Sequence, residues 1–151
     1  MRPLYPPPPE RSAELRRRFA EEARSERPDL SSLCLLVGAE ADGTLDEAGL
    51  DAAQIELDQL AGRLPFRPGG PRSWAVSLRE LLGERCGFRG TPGDYQRLES
   101  SLLHEVLRRR RGLPILLSVV WMEVARRAGA HVYGVALPGH FVVGFGAEEE
   151  Q

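Results

Sequence analysis

The feature that most constrains this chain is Gly112-Leu113-Pro114, followed by an apolar stretch that runs to Ala125. Proline loses nothing at the first helical position, where its missing N–H would be unpaired anyway and its fixed φ is already helical. Gly112 suits the left-handed position that ends a preceding helix. From Leu113 to Ala125 the pattern is apolar nearly all round, which predicts a buried central helix. Arg126 and Arg127 complement its last turn, and Gly129 stops it. The period then changes. Val132–Leu137 and Phe141–Phe145 read as two strands separated by the Pro138-Gly139 turn. The expectation is an α+β fold, with a short antiparallel hairpin packed on a central helix.

Upstream, the sequence divides into helices and breaks. Residues 1–9 read as an extended, mobile proline-rich tail. Residues 10–27 are helix-compatible, but Leu15, Phe19 and Ala23 make a thin stripe that predicts weak docking. Asp29 caps a short helix carrying Leu30, Leu33, Leu36 and Val37, with Gly38 as its end. Thr44 and Glu47 have capping-box spacing ahead of Leu50, Ala53, Leu57, Leu60 and Leu64. Beyond a Gly/Pro loop, Ser73 caps a helix with Trp74, Leu78, Leu81 and Leu82 on one face, stopped by Gly87. Asp94 caps a further helix that carries Leu98, Leu102, Val106 and Leu107 and ends in Arg108 to Arg111. Three regions result: 1–28, a tail and marginal helix; 29–86, helical; and 87–151, the core with the hairpin.

Composition excludes several classes. A chain of 151 residues with 42% hydrophobic and 28% charged residues can bury one core unaided. A net charge of −2 gives no general attraction to nucleic acid or anionic lipid. The longest apolar run, Leu113 to Met122, falls short of the roughly 20 residues a membrane helix needs. Two cysteines and no apolar leader make the cytoplasm the default location.

Few residues offer chemistry. The Arg108–Arg111 run invites a nucleic-acid reading, but no aromatic residues interleave it, and cations in a last helical turn are stabilised by the helix dipole. His104 reads as a surface or boundary residue, and His131 only begins a strand. No His, Cys, Asp or Glu pair has metal-ligand spacing, so neither metal nor cofactor is expected. Cys34 lies among leucines and reads as a small core residue. Cys86 sits at a helix C-terminus, where the dipole disfavours thiolate. His140 follows a turn and opens an apolar strand; facing a helix N-terminus it would have the place of the base in a Cys–His enzyme.

Gly87-Phe88-Arg89-Gly90, Asp94-Tyr95 and Ser101-Leu102-Leu103-His104-Glu105-Val106-Leu107 form an ordered series. It continues in Arg110-Arg111-Gly112-Leu113-Pro114-Ile115-Leu116-Leu117-Ser118-Val119, Glu123-Val124-Ala125-Arg126-Arg127 and Gly134-Val135-Ala136-Leu137-Pro138-Gly139-His140-Phe141. This series resembles the SirB-type bacterial invasion-regulator proteins of the transglutaminase-like superfamily, densely over residues 87–146. One departure is Ser100, where the resemblance calls for Asn. The resemblance implies a nucleophilic Cys at the start of the central helix, a His on the next strand and an Asp on the strand after. Pro114 or a neighbour occupies the nucleophile position here, and the chain ends in Glu148-Glu149-Glu150-Gln151 before the Asp. What the resemblance implies is therefore a non-catalytic, protein-interacting or regulatory domain. The alternatives are a hydrolase or acyl transferase pairing His140 with Ser118 or Cys86, and a nucleic-acid binder acting through the Arg run; Glu123, an acid on an apolar helix, either pairs with an Arg or orients His140. The hairpin is also expected to be incomplete, and to self-associate through the edge of Phe141–Phe145.

Overall fold

The structure, a computed structural model, describes residues 3–65, 69–138 and 140–146. Among the described residues six α-helices precede a two-stranded sheet: α1 Pro9–Arg24, α2 Leu30–Ala41, α3 Glu47–Gly62, α4 Pro71–Leu78, α5 Leu103–Arg109 and α6 Pro114–Arg127. A π-helical stretch, Arg79–Arg85, continues α4, and two 3₁₀ turns, Pro92–Gln96 and Leu98–Ser101, lead into α5. Strands β1, Val132–Leu137, and β2, His140–Phe145, pair antiparallel from Val132↔Phe145 to Leu137↔His140. This is the α+β class expected of the sequence. Among the described residues no helix is long and apolar enough to cross a membrane.

α6 is the pivot. It packs on α3, on both strands and on α2, α4 and α5. Its C-terminal half is buried through Val119, Val120, Val124 and Ala125, but its first residues, Pro114 and Ile115, are exposed. The expectation of a helix buried along its whole length therefore holds for only one end. One hydrophobic cluster joins Leu15, Leu35, Leu57, Leu78, Leu82, Leu103 and Val120, and Phe141, Val143 and Phe145 pack onto it. Burying each such leucine is worth roughly 2 kcal/mol.

Several local expectations are corrected. α1 docks firmly: Leu15 is buried on α2, and Arg11 and Arg18 both reach Glu47. The residues before it are tied down as well, since Tyr5 O accepts from Gly43 N at 2.7 Å and Pro7 is buried. α2 is capped by Asp29, whose Oδ2 accepts from Ser32 N at 3.1 Å, but it runs past Gly38 to Ala41. Asp46, not Thr44, caps α3, through a bond from Gly49 N. Thr44 is diverted to Asp42, with its hydroxyl donating at 2.7 Å. α4 starts at Pro71 with Gly70 as its cap, so Ser73 lies inside it. The helix expected from Asp94 is broken into 3₁₀ turns, and α5 is only seven residues long. Here Thr91 is the cap and Asp94 completes the box from the third position.

The left-handed residue before α6 is Arg110, at φ 61°, and Gly112 has no positive φ. Gly112 is needed for clearance: a Cβ there would lie 2.6 Å from Val106 Cγ2. Gly38 has the same role toward His104, whose Nδ1 would lie 2.7 Å from an added Cβ.

Candidate functional site

The start of α6 is held by a short backbone lattice. Arg89 N donates to Arg110 O at 3.1 Å, and Leu113 N donates to Ser100 O at 3.0 Å. Gly90 allows the approach, because a Cβ there would meet Gly112 O at 2.9 Å. Behind it stands buried Asp94. Its Oδ1 accepts from Ser100 Oγ at 2.6 Å, and its Oδ2 accepts from Thr91 N at 2.7 Å and Thr91 Oγ1 at 3.0 Å. Ser100, where the resemblance called for Asn, thus keeps a polar contact. These donors, Ser100 first, hold the Asp94 carboxyl below its ordinary range.

Two depressions flank the platform. One, of about 410 Å³, is lined by Gly90, Thr91, Pro92, Asp94 and Leu117. The other, of about 360 Å³, is lined by Ile115, His140 and Phe141. Tyr95, Leu113 and Pro114 line both, so together they form one cleft around the helix start. Its accessible walls are largely apolar: Tyr95 is 72% exposed and Ile115 50%.

His140 therefore stands beside the first turn of α6. Pro114, the first residue of that helix, brings neither a nucleophile nor an N–H. Ser118 lies one turn further on, and its hydroxyl donates to Pro114 O at 2.9 Å. Neither Ser118 nor a cysteine lines the cleft among the described residues. Cys86 caps the π-helical stretch, where its sulfur accepts from Arg63 Nη1 at 3.5 Å. Cys34 packs on the core, and burial, then Glu123 and Asp29, push its thiol up to about 11.

Glu123 does not orient His140. It lies nine residues into α6 from Pro114, about 13 Å along the axis. There it is buried and pairs with Arg126 and, at 3.7 Å, with Arg127 Nε. Arg127 also reaches Gln54 Oε1 at 2.6 Å, Ser31 Oγ at 3.0 Å and Asp58 Oδ1 at 2.6 Å, which ties α6 to α2 and α3.

The Arg run is built into the fold. Arg108 bonds both Glu105 oxygens; Arg110 lies 4.6 Å over the Phe88 ring and 3.5 Å from Glu56; the Arg111 backbone pairs with that of Arg89 in a parallel β-bridge. His104 is not a surface residue. Its Nε2 meets the buried Asp42 Oδ2 at 2.9 Å, and only 11% of its side chain is exposed. Asp42, His104 and Glu105 bring ligand-capable atoms within 4.8 Å of one another, a grouping the sequence spacing did not announce. Thr44 bonds Asp42, and Arg108 bonds Glu105. Sequence reasoning also missed Tyr95 as a cleft wall; the signal was an aromatic residue directly after the buried acid.

The sequence matches the family described as Transglutaminase-like superfamily over residues 51–151. The chain belongs to that superfamily. It is 31% identical over 121 residues to the UPF0162 proteins of Xylella fastidiosa strains Temecula1 and 9a5c, covering 80% of this chain and 38% of each relative. It is also 34% identical over 67 residues to F-box only protein 21 of Mus musculus, covering 44% of this chain and 11% of that protein. The chain therefore spans well under half the length of the curated relatives it matches. No solved structure is significantly similar to it. In this superfamily setting the region where the resemblance places chemistry, the start of α6 with His140 beside it, is an apolar cleft.

Proposed function

We propose that this chain is a non-catalytic transglutaminase-like domain of the SirB-type branch, working in the cytoplasm as a protein-interacting or regulatory module. One observation carries the reading: Pro114 opens α6 where a nucleophile is required, and apolar Leu113, Ile115 and Tyr95 surround it beside His140. Such a cleft can receive extended apolar peptide, and among the described residues neither a serine nor a cysteine lines it. His140 is then a vestige of the catalytic geometry, and Ser118, bonded to Pro114 O, is a helix residue. The similar stretch of F-box only protein 21 is a small part of a long protein, which supports a modular role.

Two measurements test this. Serine-directed fluorophosphonate and cysteine-directed iodoacetamide probes, with adduct mapping, are expected to give no adduct that depends on His140. A Ser118 or Cys86 adduct lost on His140→Ala overturns the non-catalytic reading. In a titration with a library of extended apolar peptides, binding is expected to shift the Ile115 and Tyr95 resonances and to be lost on Ile115→Asp. Binding indifferent to Ile115→Asp moves the docking site elsewhere.

A further inference from the structure

The depression of about 410 Å³ at the start of α6 is walled by residues between Gly90 and Leu117, so neither strand borders it. Its wall is mostly apolar, and the Asp94 in it is buried and bonded by Thr91 and Ser100. Around it the charge is one-sided. From Arg85 to Ser118 the chain has seven arginines but only Asp94, Glu99 and Glu105 as acids, against a net charge of −2 for the whole. Two of those acids are held by the fold, Asp94 by Thr91 and Ser100 and Glu105 by Arg108. Arg89 and Arg111 each directly precede a glycine of the wall, Gly90 and Gly112. Their backbones pair in the parallel bridge, where Arg89 N donates to Arg110 O at 3.1 Å and Gly112 N to Arg89 O at 3.4 Å. Residues paired across such a bridge share a face, and like charges directly opposite each other are unfavourable. Neither guanidinium has an acceptor or an ion-pair partner among the described residues, and Arg89 is exposed.

We infer that this depression takes an extended acidic peptide, with an apolar side chain seated against Tyr95, Pro114 and Leu117 and a carboxylate bound by Arg89 and Arg111. The inference rests on the docking reading above and names the chemistry of the partner. Two unanswered cations beside an apolar wall are complementary to a carboxylate next to an apolar group, and a guanidinium holds a carboxylate through two parallel bonds. An extended peptide sends successive side chains to opposite sides, so one enters the depression while its neighbour turns to the rim. A nucleic-acid strand is the poorer occupant. It carries a charge at every step, whereas this wall is apolar, and Tyr95 is the one aromatic residue among the described residues that line it.

The test is fluorescence anisotropy of the whole chain with labelled peptides of one length that alternate Leu with Glu, Gln or Lys. The Leu/Glu peptide is expected to bind about tenfold more tightly than the Leu/Gln peptide, with an advantage that shrinks as salt rises, and the Leu/Lys peptide least. Arg89→Gln combined with Arg111→Gln should remove that advantage. The double variant should still bind the Leu/Gln peptide as before, which also reports that it is folded, since neither arginine lines the wall. Tyr95→Ala, at a position 72% exposed, should weaken both peptides. Equal affinity for the Leu/Glu and Leu/Gln peptides overturns the acidic partner and leaves the docking reading standing, while no binding of any peptide overturns both. An advantage that survives in the double variant overturns the inference as well, because other cations then supply it. So does a single-stranded oligonucleotide that binds more tightly than the Leu/Glu peptide and loses its affinity in the double variant, since the arginines then serve nucleic acid.

Discussion

The two ends of α6 are built from opposite materials. At its N-terminus Leu113, Pro114 and Ile115 stand at the surface beside His140, with no side-chain cap. At its C-terminus Glu123, Arg126 and Arg127 join Ser31, Gln54 and Asp58 in a network that ties three helices together. The end where the superfamily resemblance places chemistry holds apolar surface, and the end that holds the polar groups serves the fold. A reader of the sequence meets Glu123 and His140 as two polar residues on neighbouring elements; the helix rise sets Glu123 about 13 Å along the axis from Pro114, the residue that lines the cleft with His140.

The largest effect is expected at the polar end. Glu123→Ala leaves two guanidinium groups without their buried carboxylate and should cost about 3 kcal/mol or more, read by urea denaturation. A loss under about 1 kcal/mol would mean that the network is solvated and the contrast between the two ends is shallower than drawn.

An intermediate effect is expected from the support behind the cleft. Asp94→Asn removes an acceptor bonded by Thr91 and Ser100 and should cost roughly 1–2 kcal/mol at neutral pH. Because the folded Asp94 holds its proton less tightly than an ordinary carboxylate, its contribution is present above the usual carboxylate range and is lost as pH falls through the lowered value. The gap between wild type and variant should therefore close in acid. A gap that stays constant with pH would assign the cost to packing.

The smallest effect on stability is expected at the bare end. Pro114→Cys sits in an exposed first turn and should change stability by less than about 1 kcal/mol. It sharpens the comparison most, because a thiol there lies at a helix N-terminus beside His140, where thiolate is favoured. Alkylation of the new cysteine should be faster than that of Cys34, whose thiol is pushed up to about 11, and should slow on His140→Ala. Labelling unaffected by His140 would show that the cleft does not hold position 114 and His140 in reacting geometry.

What the sequence made legible was local. Asp29 capping α2, Pro114 opening α6 and the two apolar strands need only near neighbours and the solvent, and the structure has each of them. Thr44 looked equally local, but Asp42 captures its hydroxyl, and Asp42 is itself held by His104 from a distant helix. In the sequence Gly38 and Gly112 look like breaks in the chain, because that is what glycine does to a backbone. Their work is to leave room for His104 and Val106, information that resides in the partner helix. Leu98 fitted the periodicity of a long helix, yet it is 56% exposed because Asp94 binds Thr91 and Ser100 in tight turns. At the site, Pro114 opening α6 and His140 opening β2 were legible; the cleft wall at Tyr95 was not, because an exposed aromatic has no period.

The π-helical stretch Arg79–Arg85 has a mechanical consequence. Cys86 N reaches back five residues to Leu81 O, and Phe88 N six residues to Leu82 O, both at 2.9 Å. An α-helical path would close these loops with fewer residues, so the segment carries slack that acts as a spacer. It sets the phase at which the chain leaves the helix and delivers Phe88 edge-on to Trp121, with centroids 6.4 Å apart, and under the Arg110 guanidinium. Deleting one exposed residue there, such as Glu84, would take up the slack and swing the exit by about 100° around the helix axis. The lattice before α6 hangs from Arg89, next to Phe88, so the position of the cleft is geared to the length of a turn that touches none of it.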